Sequence, residues 1–213
     1  MNARDAILES VRGHLGRRET ATPPRPPAPP PVPLLGRVDL SIQERVERFG
    51  ERLRAVGGHL HSDPAGPTVA ALLDQHGAAD AFVAVSDSPA VRELRAAPEL
   101  RGVRWLAETG GGDELFTAGT GITSAQWAIA DTGSLVLDGN AERHRLASLV
   151  PPIHIALLPT ARILCNLGEL LKTLDRPLAH AVTIVTGPSR TADIELQLVL
   201  GVHGPRELHV ILT

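Results

Sequence analysis

Apolar positions along the chain change their spacing several times. Near the N-terminus Ile7, Leu8, Val11 and Leu15 recur at steps of three and four between charged residues, the period of an amphipathic helix. The same period returns through Ile42, Val46, Phe49, Leu53 and Val56. Ser41 or Asp39 can cap this second helix, and Gly57 with Gly58 can end it. Short apolar runs then alternate with helical stretches. "PTVAALLDQHGA" reads as helix, "DAFVAVS" (80–86) as a buried strand, "SPAVRELRAAPEL" as helix with Pro89 in its first turn, and "GVRWLAE" as strand. This alternation predicts α/β packing around a mainly parallel sheet flanked by helices.

From Gly119 onward charges thin out and small residues accumulate. "QWAIA", "SLVLD", "IHIALLP" (153–159) and "AVTIVTG" (181–187) read as strands. "ILCNLGELLKTLD" reads as helix, with Leu164, Leu167, Leu170, Leu171 and Leu174 on its apolar face. "TADIELQLVLGVHG" carries two patterns: its apolar residues alternate as in a strand, while its ends carry the signals of a helix. The strand–loop–helix rhythm favours helix there. "ELHVILT" is the last strand.

Between the first helix and the rest lies "TPPRPPAPPPVP" (22–33). Proline fixes φ and removes a donor, so this stretch is an extended spacer. The expected organisation is a helical arm over 1–21, a proline-rich linker over 22–33 and one α/β domain over 34–213.

Composition narrows the function. The chain has 213 residues, 43% hydrophobic, enough for a sizeable core. Its net charge of -3 and 2% aromatic content make no case for nucleic acid, by charge or by stacking. The longest apolar run, "LASLVPPIHIALLP", is broken by two prolines and a histidine, so no membrane span is expected. "MNARDAILES" lacks the apolar stretch of a signal peptide, which points to the cytoplasm. Cys165 is the one cysteine; it cannot hold an iron–sulfur cluster, which takes about four thiolates. No cofactor of this chain's own is expected.

Candidate chemistry follows from where open α/β sheets bind ligands, beyond the carboxyl ends of their strands. Two polar loops are expected there. If a helix begins near Thr191, its free N–H groups favour an anion, with Ser189 and Thr191 adding hydroxyls, Arg190 a guanidinium and Asp193 following. The competing reading is a capped helix start with solvated charges. The second loop is "IADTGSLVLDG". Asp131, Thr132, Gly133 and Ser134 form either a tight turn satisfying its own backbone or a loop presenting an acid and two hydroxyls to a ligand. His154, within an apolar strand, is either a core histidine or a site acid or base. "GTGITS" (119–124) begins like a dinucleotide fingerprint, but Ser124 replaces the last glycine and no strand clearly precedes it. His59 and His61 form H-x-H without a convincing third ligand, so no metal is expected. "GGGD" (110–113) reads as a loop, and Arg143, His144 and Arg145 as a solvated turn.

"GITSAQWAIADTGSLVL", "RLASLVPPIHIALLP" and "TGPSRTADIELQLVLGVHGPRELHVIL", in this order, resemble the LUD-domain family, in particular its branch tied to lactate utilization. The resemblance covers about residues 40–213. It implies a fold similar to the NagB/RpiA/CoA-transferase group. It also implies a place in a three-protein bacterial system that oxidises L-lactate to pyruvate. The partners would be iron–sulfur oxidoreductase subunits that carry the clusters, and this chain the non-cluster subunit. No family catalytic residue carries over, so none is assigned, and whether the chain is itself an enzyme stays open. The alternative is a free-standing enzyme or binding protein for a phosphorylated, CoA-linked or carboxylate small molecule.

Overall fold

The computed structural model describes residues 3–14, 40–76, 81–107, 113–142, 145–174, 179–191, 199–200 and 204–213. Helix α1 (Ala3–His14) forms with the predicted period, and all of its residues are exposed. The proline-rich stretch, the three glycines of "GGGD" (110–112), Arg143, His144 and Asp193 lie outside the described residues.

Helix α2 (Ile42–Ala55) starts at a capping box: the Glu44 N–H donates to Ser41 Oγ at 3.3 Å, and the Ser41 N–H donates to Glu44 Oε2 at 2.8 Å. It buries Phe49 and Leu53 and ends before Gly57, whose φ of 88° suits the turn out of a helix. There follow β1 (His59–His61), α3 (Ala65–Gln75), β2 (Phe82–Val85), α4 (Pro89–Arg95), β3 (Arg104–Ala107) and β4 (Ala118–Ser124). Next come β5 (Trp127–Ile129), β6 (Ser134–Asp138), the single turn α5 (Gly139–Glu142) and β7 (Ile153–Leu158). The chain closes with β8 (Ile163–Leu164), α6 (Leu167–Thr173), β9 (Val182–Val185), β10 (Arg190–Thr191), β11 (Val199–Leu200) and β12 (Glu207–Leu212).

One six-stranded sheet, ordered β1-β12-β7-β4-β2-β3, is parallel throughout. A smaller sheet, β8-β5-β6-β9, mixes parallel and antiparallel pairs. The period-2 rule sorts side chains between two layers. On β7, Ile153, Ile155 and Leu157 pack with Val69, Leu72 and Leu73 of α3 and Val91 and Leu94 of α4. On its other face Ala156 and Leu158 pack with Phe49 and Leu53 of α2 and with Leu135 and Leu137 of β6. Among the described residues no helix is long and apolar enough to cross a membrane.

Several expectations change. "GTGITS" lies in β4, near the sheet's centre. Its small residues are steric: a Cβ on Gly121 would come within 1.8 Å of the Ala147 carbonyl oxygen. His59-Leu60-His61 is itself an edge strand. Ile163–Leu164 extends the small sheet, so α6 starts later, after Asn166, whose side chain accepts from the Glu169 N–H at 3.0 Å. The helix expected from Thr191 is overturned at its start, because Arg190–Thr191 pairs antiparallel with Val199–Leu200. "AVTIVTG" joins the small sheet beside β6 rather than the parallel one.

Candidate functional site

The two predicted loops do meet, but beside the C-terminal half of α2. The Ser134 hydroxyl, buried, lies 2.7 Å from the Thr132 hydroxyl and 2.7 Å from that of Thr186, which leads into the Ser189–Arg190 loop. Gly133 closes the turn with its N–H on the Ile129 carbonyl at 2.9 Å. Its φ is 66°, and an added Cβ would lie 2.4 Å from the Leu53 nitrogen, so only glycine lets the turn seat against α2. Asp131 is exposed and pairs with Arg48 Nη1 at 2.9 Å. Arg190 Nη2 donates to the Val56 carbonyl at 2.8 Å, satisfying an acceptor just past the helix end. The Ser189 N–H donates to the Pro205 carbonyl at 2.8 Å, just before β12 begins. Ser189 and Arg190 therefore sit toward the amino ends of β1 and β12, not at the carboxyl-end crevice. Thr191 is in β10.

His154 is fully buried on the α2-facing side of β7. Its Nε2 is 2.8 Å from Thr123 Oγ1, and its Nδ1 has no hydrogen bond. Burial drives its pKa down to about 4, so the ring is neutral near neutral pH.

The carboxyl ends hold a group that sequence reasoning did not single out. Strand β2 leads outward to β3, whereas β4 leads the other way to β7 and β12, so the sheet's switch point lies between β2 and β4. At the end of β4, the Ser124 N–H donates to Glu142 Oε2 at 3.1 Å and the Ser124 hydroxyl donates to Glu142 Oε1. Gln126 Nε2 donates to the same Oε1 at 2.7 Å, and Gln126 Oε1 accepts from the Asp138 N–H at 2.6 Å. Glu142 is only 1% exposed. At the end of β2, Ser86 and Ser88 are buried, with hydroxyls 3.4 Å apart. A fixed carboxylate beside a rotatable hydroxyl can accept a hydrogen bond or a proton from a ligand hydroxyl. The available signal was "TSAQ" closing a strand, polar residues directly after a buried run.

A parallel sheet with α3 and α4 on one face, α2 and a small sheet on the other, and polar side chains at its switch point, defines an α/β protein of the open-sheet type. The chain belongs to the LUD domain family, whose profile matches residues 105–213. An uncharacterized protein of Neisseria meningitidis serogroup B is 40% identical over 46% of this chain and 44% of its own length. Lactate utilization protein C of Bacillus subtilis is 36% identical over 45% of this chain and 42% of its own. These matches thus span less than half of each relative. Lactate utilization protein C of Anoxybacillus flavithermus aligns more fully, at 24% identity over 98% of this chain and 99% of its own length. The crystal structure of a DUF162 family protein from Deinococcus radiodurans shares the fold, with a TM-score of 0.58 at 23% identity, covering 81% of this chain and 98% of that one.

Proposed function

We propose that this chain serves bacterial lactate utilization as a non-cluster subunit, working beside iron–sulfur oxidoreductase subunits that oxidise L-lactate to pyruvate. The observation that carries the reading is the nearly end-to-end alignment with a relative named for lactate utilization. The single cysteine supports the division of labour, since clusters need several thiolates. Deleting the gene in its host abolishes growth on L-lactate, and the tagged chain recovers an iron–sulfur partner. Normal growth with no partner recovered refutes the reading.

A second reading is favoured by the buried Glu142 cluster at the switch point: a free-standing enzyme or binding protein for a phosphorylated, CoA-linked or carboxylate small molecule. A thermal-shift screen of hydroxy acids, sugar phosphates, nucleotides and CoA esters discriminates. A ligand at a hundredfold excess over Kd stabilises the fold by about 2.7 kcal/mol. Loss of that shift in Glu142→Gln places the ligand at the switch point. Loss in Asp131→Ala or Arg190→Ala places it in the loops beside α2.

A further inference from the structure

Near the amino end of β12, four histidines and a carboxylate converge. Glu207 and His209 are two apart on the strand and so share a face, the one turned toward α3. His59 pairs with His209 in the neighbouring β1, and the two rings stack with centroids 4.8 Å apart. His76 follows the last turn of α3. His76 Nε2 and His209 Nε2 each lie 3.4 Å from Glu207 Oε2. The His76, Glu207 and His209 ligand atoms all fall within 4.8 Å of one another. Two donors bound tetrahedrally at zinc distances stand about 3.3 Å apart, close to the two carboxylate contacts.

Two further features point to an ion. His76 Nε2 is buried and makes no hydrogen bond, although it is directed at the carboxylate. Such an orphaned nitrogen is a destabilising feature that a cation at that point removes. His209 Nδ1 is 3.1 Å from His61 Nε2. If the His209 Nδ1–H donates to His61, its Nε2 lone pair is free toward Glu207. That is the arrangement by which an outer partner orients a metal-ligating imidazole.

The geometry points to a binding site for a divalent transition ion of the zinc type, held by His76 Nε2, Glu207 and His209 Nε2, with His61 positioning His209. Two imidazoles and a carboxylate satisfy three positions and leave the next open, toward the half-exposed Glu207 side. The H-x-H pair looked short of ligands in the sequence because His209 lies 148 residues beyond His61.

The test strips the full-length chain with a chelator and titrates it with zinc alone. One zinc per chain is expected, together with a rise in melting temperature. His76→Gln and Glu207→Gln, both at partly exposed positions, weaken binding at least a hundredfold. His61→Ala weakens it ten- to hundredfold, as outer-shell changes do. Zinc-edge X-ray absorption on the unsubstituted protein reads two imidazole nitrogens and carboxylate oxygen, independently of how any variant folds. No stoichiometric zinc, undiminished binding in both variants, or a spectrum without imidazole overturns the site.

Discussion

The Asp131–Ser134 turn and the Glu142 cluster make an instructive pair. The turn is the more conspicuous in sequence, a run of small polar residues between two apolar strands. In the structure its residues are largely engaged in packing: Gly133 under α2, Ser134 in a hydroxyl chain, Asp131 on Arg48. The cluster draws on Ser124, Gln126 and Glu142, which no motif joins, yet it fixes a buried carboxylate with three donors. A compact local pattern reports a backbone constraint. Chemistry assembled from three separate elements leaves no such pattern.

The largest effect should come from the turn. Gly133→Ala places a Cβ 2.4 Å from the Leu53 nitrogen at a φ of 66°. The neighbour is helical backbone, which cannot swing aside, so the loss of stability should be about 3 kcal/mol by urea denaturation. A loss below about 1 kcal/mol would break the packing account and return the glycine to a ligand role.

Glu142→Ala comes next. It leaves the buried Ser124 N–H and hydroxyl without their acceptor, a cost of about 2 kcal/mol. Glu142→Gln keeps one acceptor oxygen and should cost less. If both variants lose ligand response while the Gln variant stays folded, the cluster differs from the turn in kind, as a site rather than a joint.

These two regions also show what was legible in the sequence. Helix α2 was legible through Ser41, the 3–4 spacing and Gly57, because each signal is local. β2, β3, β7 and β12 were legible as apolar runs. β4 was not, since Gly121 and its neighbours are small for the sake of Ala147, a contact invisible in one dimension. The helix signals at Thr191 were genuine as residue types but lost to pairing with Val199. Glu142, His76 and His209 drew no notice because each acquires meaning only from partners that folding brings near.

His154 gives the third effect, read through pH. Its pKa of about 4 lies below the ordinary histidine value of 6.5, so the unfolded chain binds the extra proton first. Its contribution is therefore complete above pH 6.5 and is lost as pH falls toward 4. Between pH 7 and 5 this amounts to about 2 kcal/mol. His209, also driven down to about 4 by burial, acts in the same direction. His154→Gln, which can still meet Thr123, should flatten the slope by His154's share and leave that of His209. An unchanged slope would show that His154 is not the buried neutral core residue its surroundings indicate.

The smallest effect sharpens the comparison most. Asp131 and Arg48 are 45% and 40% exposed, so water screens their ion pair. Asp131→Asn should change stability by no more than about 0.5 kcal/mol. Against the loss expected from Gly133→Ala, two residues away, this separates the two duties inside one turn. The glycine seats the loop on α2, and the aspartate projects from it into solvent. A ligand response that disappears in Asp131→Asn, with the melting curve unmoved, would therefore assign chemistry to the turn after all. A response that survives leaves Asp131 as a surface tie to Arg48 and moves the search for the ligand to Ser124, Gln126 and Glu142.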